Sequence, residues 1–190
     1  LLFVAGDITP VARLALLIGW PNATKTRPMP RTNLRKTRAL DDFDRAILRI
    51  LQRDNKTPQR AIGERVNLSA AAVQRRIAAM EEAGIIERNV AIVDAAALRM
   101  TITAIVEVQL TDERLPTVDK ARAVFLGAPE VQQCYYVTGG ISFVLVIVSP
   151  DMVAYEATIR RLFTHNDAVA SFRSLIALDR IKTGAEIVIA

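Results

Sequence analysis

Near residue 101 the spacing of apolar residues changes from about 3.6 to about 2, and one kind of element cannot satisfy both. The chain must therefore build a helical part and then a part with a sheet. In the first part, Asp41 or Asp42 is placed to cap a helix, with Asp44 adding negative charge to its first turn. Phe43, Ile47, Leu48, Ile50 and Leu51 share one face of it. Thr57 as N-cap and Pro58 at the first helical position predict a second helix with Ala61, Ile62 and Val66 inward. Asn67 tolerates the left-handed backbone that ends helices. Leu68 turns inward, Ser69 caps a third helix running to about Ala83, and Gly84 stops it. Two short helices joined by so brief a turn form the helix-turn-helix pattern. Ile85–Val93 reads as a short strand or wing, and Asp94–Met100 as a connection.

In the second part Ile102–Leu110 alternates as a strand, with Ile102, Ala104, Val106, Val108 and Leu110 on one face. Leu115–Leu126 reads as a helix through Leu115, Val118, Ala121 and Phe125. Val131–Thr138 and Ile141–Val148 are strands joined at Gly139-Gly140, a hairpin signal. Pro150 and Asp151 open a helix with Met152, Tyr155, Ile159 and Leu162 inward, Ala168–Leu178 is the last strand, and Ile187–Ile189 adds an edge. The order β-α-β-β-α-β is the split, ferredoxin-like arrangement. The fold class is thus α+β: an N-terminal winged helix-turn-helix domain at 39–94, a hinge at 95–101 and a ferredoxin-like domain at 102–190. The strands are apolar on both faces, notably Phe143–Val148, so one face needs a cover beyond the chain's own two helices. A partner subunit's sheet would supply it.

Charge separates the first 38 residues from the rest. The chain carries 25 basic and 20 acidic side chains; seven basic ones and a single acid, Asp7, fall in 1–38, leaving 18 against 19. The excess positive charge is a basic arm on a near-neutral body. The apolar stretch Val11–Trp20 is too short to span a bilayer and has no basic region ahead of it, so neither a membrane span nor a secretory signal is expected. Residues 21–38, with Pro21, Pro28 and Pro30, read as a flexible linker. Met29 is the only methionine before residue 80, and residues 1–28 are expected to be an extension upstream of a natural start there. One cysteine (Cys134) and one histidine (His165) cannot assemble a zinc site without several carboxylates, and no disulfide forms within the chain. No metal, cofactor or catalytic residue is expected. Cys134 reads as a small apolar strand residue and His165 as a helix-end cap.

With Val73, Ile77 and Met80 in the core, steps of about 100° turn Ala71, Arg75 and Ala79 outward, with Ala72, Gln74 and Ala78 beside them and Arg76 on the other flank. Small residues let a helix approach the major groove closely, and Arg75 offers two donors to guanine. Ala71 or Ala72 could touch a thymine methyl, while Arg76, Arg60 and Ser69 suit phosphates. The expected double-stranded DNA surface is Thr57, Arg60, Ser69, Ala71, Ala72, Gln74, Arg75 and Arg76. A solvated basic face is the plain alternative.

Six runs appear in the order of a known family. They are Leu-Asp-x-x-Asp-x-x-Ile-Leu at 40–48, Val-x-Leu-Ser at 66–69 and Val-x-x-Arg-Ile at 73–77. The others are Met-Glu-x-x-Gly-Ile-Ile at 80–86, Tyr-Val-Thr-Gly at 136–139 and Pro-Asp-Met-x-x-Tyr at 150–155. Over residues 40–190 the chain resembles the leucine-responsive regulatory protein / AsnC family of transcription regulators. The resemblance implies sheet-paired homodimers that assemble further, and an amino acid or related metabolite bound between dimers. Sequence-specific regulation of transcription in the cytoplasm, at the nucleoid, is then the expected function. Two positions depart from the family's pattern. Asn67 stands where its turn usually has Gly, which the backbone accepts. The hairpin often carries acids and here reads Gly139-Gly140-Ile141-Ser142-Phe143, leaving an effector's ammonium group to a carbonyl or to a Glu of a neighbouring subunit. The expected effector site is Tyr136, Thr138, Gly139, Gly140, Ile141, Ser142 and Phe143, where absent side chains leave space and exposed N–H groups for a carboxylate. A simple tight hairpin is the plain alternative. Competing functions are an architectural protein that wraps DNA with little sequence preference, and a sirohaem-decarboxylase-like enzyme, which would want histidines and arginines lining a large pocket.

Overall fold

The computed structural model describes residues 38–190; the Val11–Trp20 stretch, Met29 and the linker as far as residue 37 lie outside the described residues. The chain forms two compact units, residues 38–89 with Ile187–Ala190, and residues 90–186.

The first unit holds α1 (Asp42–Arg53), α2 (Gln59–Val66) and α3 (Ala70–Glu82). Asp41 caps α1 in a reciprocal box: its side chain accepts from the Asp44 N–H at 2.8 Å, and Asp44 accepts from the Asp41 N–H at 3.4 Å. Ile47, Leu48, Ile62, Val66, Val73 and Met80 form the core, with Ile50 and Leu51 against it. Phe43 departs from the expected stripe and is exposed, because the inward position at the start of α1 belongs to Asp44, which is fully buried. Arg76 lies over the Phe43 ring at 5.3 Å. α2 begins one residue later than the Thr57 cap implied: Pro58 is the cap residue, and the Thr57 hydroxyl donates to the Asp54 carbonyl at 2.8 Å. Asn67 ends α2 at φ 56°, ψ 45°, and Ser69 caps α3 by accepting from the Ala72 N–H at 3.2 Å. Gly84 at φ 69° stops it. The expected strand at 85–93 does not form; residues 87–94 have no regular structure. Nor does Ile187–Ile189 join the sheet. Gln52 of α1 clamps Ile187 through both backbone groups, accepting at 2.9 Å and donating at 3.1 Å, and Ile189 packs on the helical core.

The second unit runs β1 (Ile102–Leu110), α4 (Leu115–Leu126), β2 (Val131–Tyr136), β3 (Phe143–Ser149), α5 (Met152–Ile159, continued by a π turn over Arg160–Thr164) and β4 (Val169–Ile176). The antiparallel sheet has the order β2-β3-β1-β4, the ferredoxin-like arrangement. One face meets the helices through Ala104, Val106, Val108, Phe143, Leu145 and Ile147, packed on Val118, Ala121, Phe125, Tyr155 and Leu162. Phe125 sits edge-on to Phe143 at 5.3 Å. Met152, expected inward, is exposed at the first turn of α5. On the other face Ile105 pairs with Val146 and Leu175, and both Ile105 and Leu175 are exposed.

Candidate functional site

α3 presents the face that the periodicity implied. Ala71, Gln74, Arg75 and Ala78 are exposed, Ala72 and Ala79 half-exposed, and Val73 and Met80 lie beneath in the core. Arg75 makes no ion pair among the described residues, so its guanidinium is free to meet a partner. Arg60 is exposed and pairs with Glu64 at 3.2 Å, an i,i+4 contact worth a few tenths of a kcal/mol and readily exchanged for a phosphate. The Ser69 hydroxyl accepts from Ala72 and keeps its proton to donate.

Two of the expected contact residues have partners within the chain. The Arg76 guanidinium is not a free phosphate ligand: it donates to Asp41 at 2.7 Å and to Asp44 at 2.8 Å, across 35 and 32 residues. Arg38 donates to the same Asp44 carboxylate at 2.9 Å. Arg76 thus braces α3 against the start of α1, and its hydrogen bonds to Asp44 and then to Asp41 hold its proton more firmly still. Thr57 likewise spends its hydroxyl proton on the Asp54 carbonyl.

In the second unit, β2 and β3 are joined by residues 137–142, closed by Val137 N–H donating to the Ser142 carbonyl at 2.9 Å. Gly139 and Gly140 have φ of 115° and 97°, values that exclude most side chains, and a Cβ at either would meet nothing within 4 Å. The loop is therefore open on the side where side chains would stand. Thr138 is exposed and Ile141 half-buried beside them. Ser142 is buried, its hydroxyl accepting from the Leu110 N–H at 3.0 Å. Phe143 is corrected from a lining residue to a core residue: it is 1% exposed, between Phe125 and, at 5.0 Å, Tyr136.

Glu113, in the connection after β1, is the residue that sequence reasoning missed. Tyr136 donates its hydroxyl proton to Glu113 Oε2 at 2.6 Å, and Ser142 donates to Oε1. These partners lie 23 and 29 residues away, beyond any local spacing rule. Burial, and then the Glu113 carboxylate, push the Tyr136 phenol up to about 12, so it remains a donor at neutral pH. Burial also pushes the Cys134 thiol up, the opposite of an activated nucleophile. His165 stands at the end of the π turn, its N–H donating to the Arg160 carbonyl at 3.1 Å. Among the described residues no three His, Cys, Asp or Glu are grouped to hold a metal, and no helix is long and apolar enough to cross a membrane.

Residues 40–87 match a family model described as winged helix-turn-helix DNA-binding, and residues 103–187 one described as the Lrp/AsnC ligand binding domain. An uncharacterized HTH-type transcriptional regulator of Sinorhizobium fredii is 36% identical over 143 residues, 75% of this chain and 85% of the relative. The crystal structure of an AsnC family transcriptional regulator from Agrobacterium tumefaciens is similar at a TM-score of 0.73 and 31% identity, over 78% of this chain and 96% of that one. A feast or famine regulatory protein from Mycobacterium tuberculosis, complexed with L-methionine, matches at 0.73 and 30% identity, over 80% of this chain and all of that one.

Proposed function

The chain belongs to the Lrp/AsnC family of transcription regulators, and from that premise we propose that α3 reads DNA bases through Arg75 while an amino acid bound at the Gly139-Gly140 loop modulates the regulator. The observation that carries the DNA reading is the outer face of α3: one free arginine set among alanines that let the helix lie deep in the major groove. Arg60, Ser69 and Gln74 flank it as phosphate or base-edge contacts, and Ala71 and Ala72 offer methyls to thymine. Arg76 and Thr57 act behind this surface, fixing the helices that carry it. In support of the effector, the Mycobacterium tuberculosis relative is complexed with L-methionine. The open glycine loop offers backbone N–H groups that a carboxylate could take up. A regulator of this kind works where the DNA is, which we take to be the cytoplasm, and as a regulator rather than an enzyme.

The test uses a site selected from random-sequence DNA, compared with unselected DNA. Arg75→Ala should lose about 1–3 kcal/mol of discrimination between them with the fold intact, and Arg60→Ala should weaken both alike. Equal losses for Arg75→Ala would end the base-reading role. Failure of the wild type to select any sequence would favour the architectural reading.

The apolar outer sheet face suits a second copy. Left wet it forgoes about 25 cal/mol per Å² of apolar surface, and Ile105 on the inner strand β1 and its neighbour Leu175 on the edge strand β4 both stand exposed on it. Sedimentation of the full chain at micromolar concentration should give a dimer or larger; a monomer would contradict sheet-to-sheet pairing.

A further inference from the structure

Glu113 stands at the loop just described, and what surrounds it is unusual for a surface carboxylate. The residues donating to it, Tyr136 and Ser142, are the two that flank the 137–141 loop, so the acid is tied to both ends of the glycine segment. Both donors are neutral hydroxyls. Among the described residues Glu113 has no ion-pair partner, whereas its neighbours in the same connection are engaged locally, Asp112 by the Arg114 N–H at 2.9 Å. An ionised carboxylate has about four acceptor positions, and two hydroxyls fill two of them. What remains is an exposed carboxylate with open acceptor positions, tied by hydrogen bonds to Tyr136 and Ser142 at the two ends of the segment whose Gly139 and Gly140 face open space.

The Gly139 and Gly140 N–H groups complete the picture. They donate to no backbone acceptor among the described residues. The loop thus carries backbone donors without an internal acceptor, and a carboxylate without an ion-pair partner is anchored at both of its ends. The geometry points to Glu113 as the group that receives a ligand's ammonium, making this loop a receptor for zwitterionic α-amino acids rather than for organic acids or amines. The assignment rests on the effector reading above. It replaces the neighbouring-subunit Glu that the sequence suggested with a residue of the same chain, carried into place by β1 and pinned by the two residues flanking the loop.

The experiment measures thermal shifts of the full chain with the proteinogenic L-amino acids at millimolar concentration, then titrates the strongest of them beside its analogue lacking the amino group. Wild type should prefer the amino acid by about tenfold or more. Glu113→Gln should bind the amino acid no better than the deaminated analogue, while Glu113→Asp, which keeps the charge, should retain part of the preference. A role confined to holding the loop would weaken both ligands together and leave their ratio unchanged, which would overturn the assignment. Gly140→Trp, which fills the open space, should bind neither ligand. If Gly140→Trp loses binding while Glu113→Gln keeps the wild-type preference, the loop is the site and Glu113 is not its ammonium partner. If neither variant differs from wild type, or if no amino acid shifts the wild type, the effector reading of this loop fails and the role of Glu113 falls with it.

Discussion

Asp44→Ala should loosen the helix-turn-helix unit by about 3–5 kcal/mol, the cost of removing one partner from a buried ionic network. Asp44 is fully buried and accepts from Arg38 at 2.9 Å and from Arg76 at 2.8 Å, while also closing the capping box on Asp41. The alanine leaves two largely covered guanidiniums with one carboxylate, that of the half-exposed Asp41. A chain with two units need not unfold in one step, so a single melting temperature is a poor readout. Hydrogen exchange of the α1 and α3 amides reads this unit alone, and it should accelerate by between about a hundredfold and a few thousandfold. Protection unchanged to within about 1 kcal/mol would show the network to be ornamental. Acid acts on the same brace through Asp41, whose carboxyl is held below its ordinary value by the Asp44 N–H and then by Arg76. A depressed folded value means that stability is present above the unfolded value of about 3.9 and is lost as pH falls through the folded one. The brace should therefore be intact at neutral pH and weaken only below about pH 4.

Gly63→Ala should destabilise the same unit by about 3 kcal/mol, the upper end of what overpacking costs. Helix propensity alone predicts the opposite sign, because alanine in a helix interior is favoured over glycine by about 1 kcal/mol. The turn after α2 folds back so closely that an added Cβ would stand 2.4 Å from the Leu68 carbonyl oxygen and 3.4 Å from its carbon. The struck atoms are backbone and cannot swing aside as the end of a flexible side chain could. The Leu68 N–H donates to the Gly63 carbonyl at 3.0 Å, so relieving the clash also strains the hydrogen bond that closes the turn. Because this turn sets α3 against α2, the variant should also bind selected DNA more weakly than wild type in a gel shift. A more protected, tighter-binding variant would mean that the turn has room to move.

Much of the architecture was legible because it rests on short-range rules. The Ser69 cap, the left-handed Asn67, the stop at Gly84 and the alternation of Ala104, Val106 and Val108 each depend on a few neighbouring residues, and each stands where the sequence puts it. The outer face of α3 followed from the same periodicity once its buried stripe was known. Local spacing says less where a side chain's partner lies far along the chain. Arg76 looks like a phosphate ligand from its position on α3 alone; two aspartates more than 30 residues away make it a brace. Phe143 looks like a residue lining the effector hairpin until Phe125 and Tyr136 close over it.

By itself the sequence determined the order of the three helices and of the βαββαβ elements, the change from helical to strand period, and the Asp41 and Ser69 caps with the Asn67 and Gly84 stops, because these are set by local backbone preference and by the side-chain period. Tertiary structure alone decided which charges are free and which are spent. Asp44 is buried under two arginines, Arg75 is left unpaired beside Arg76, and Glu113 is drawn to both ends of a glycine loop. Those outcomes depend on distances between groups far apart in the chain, and no periodicity encodes such distances.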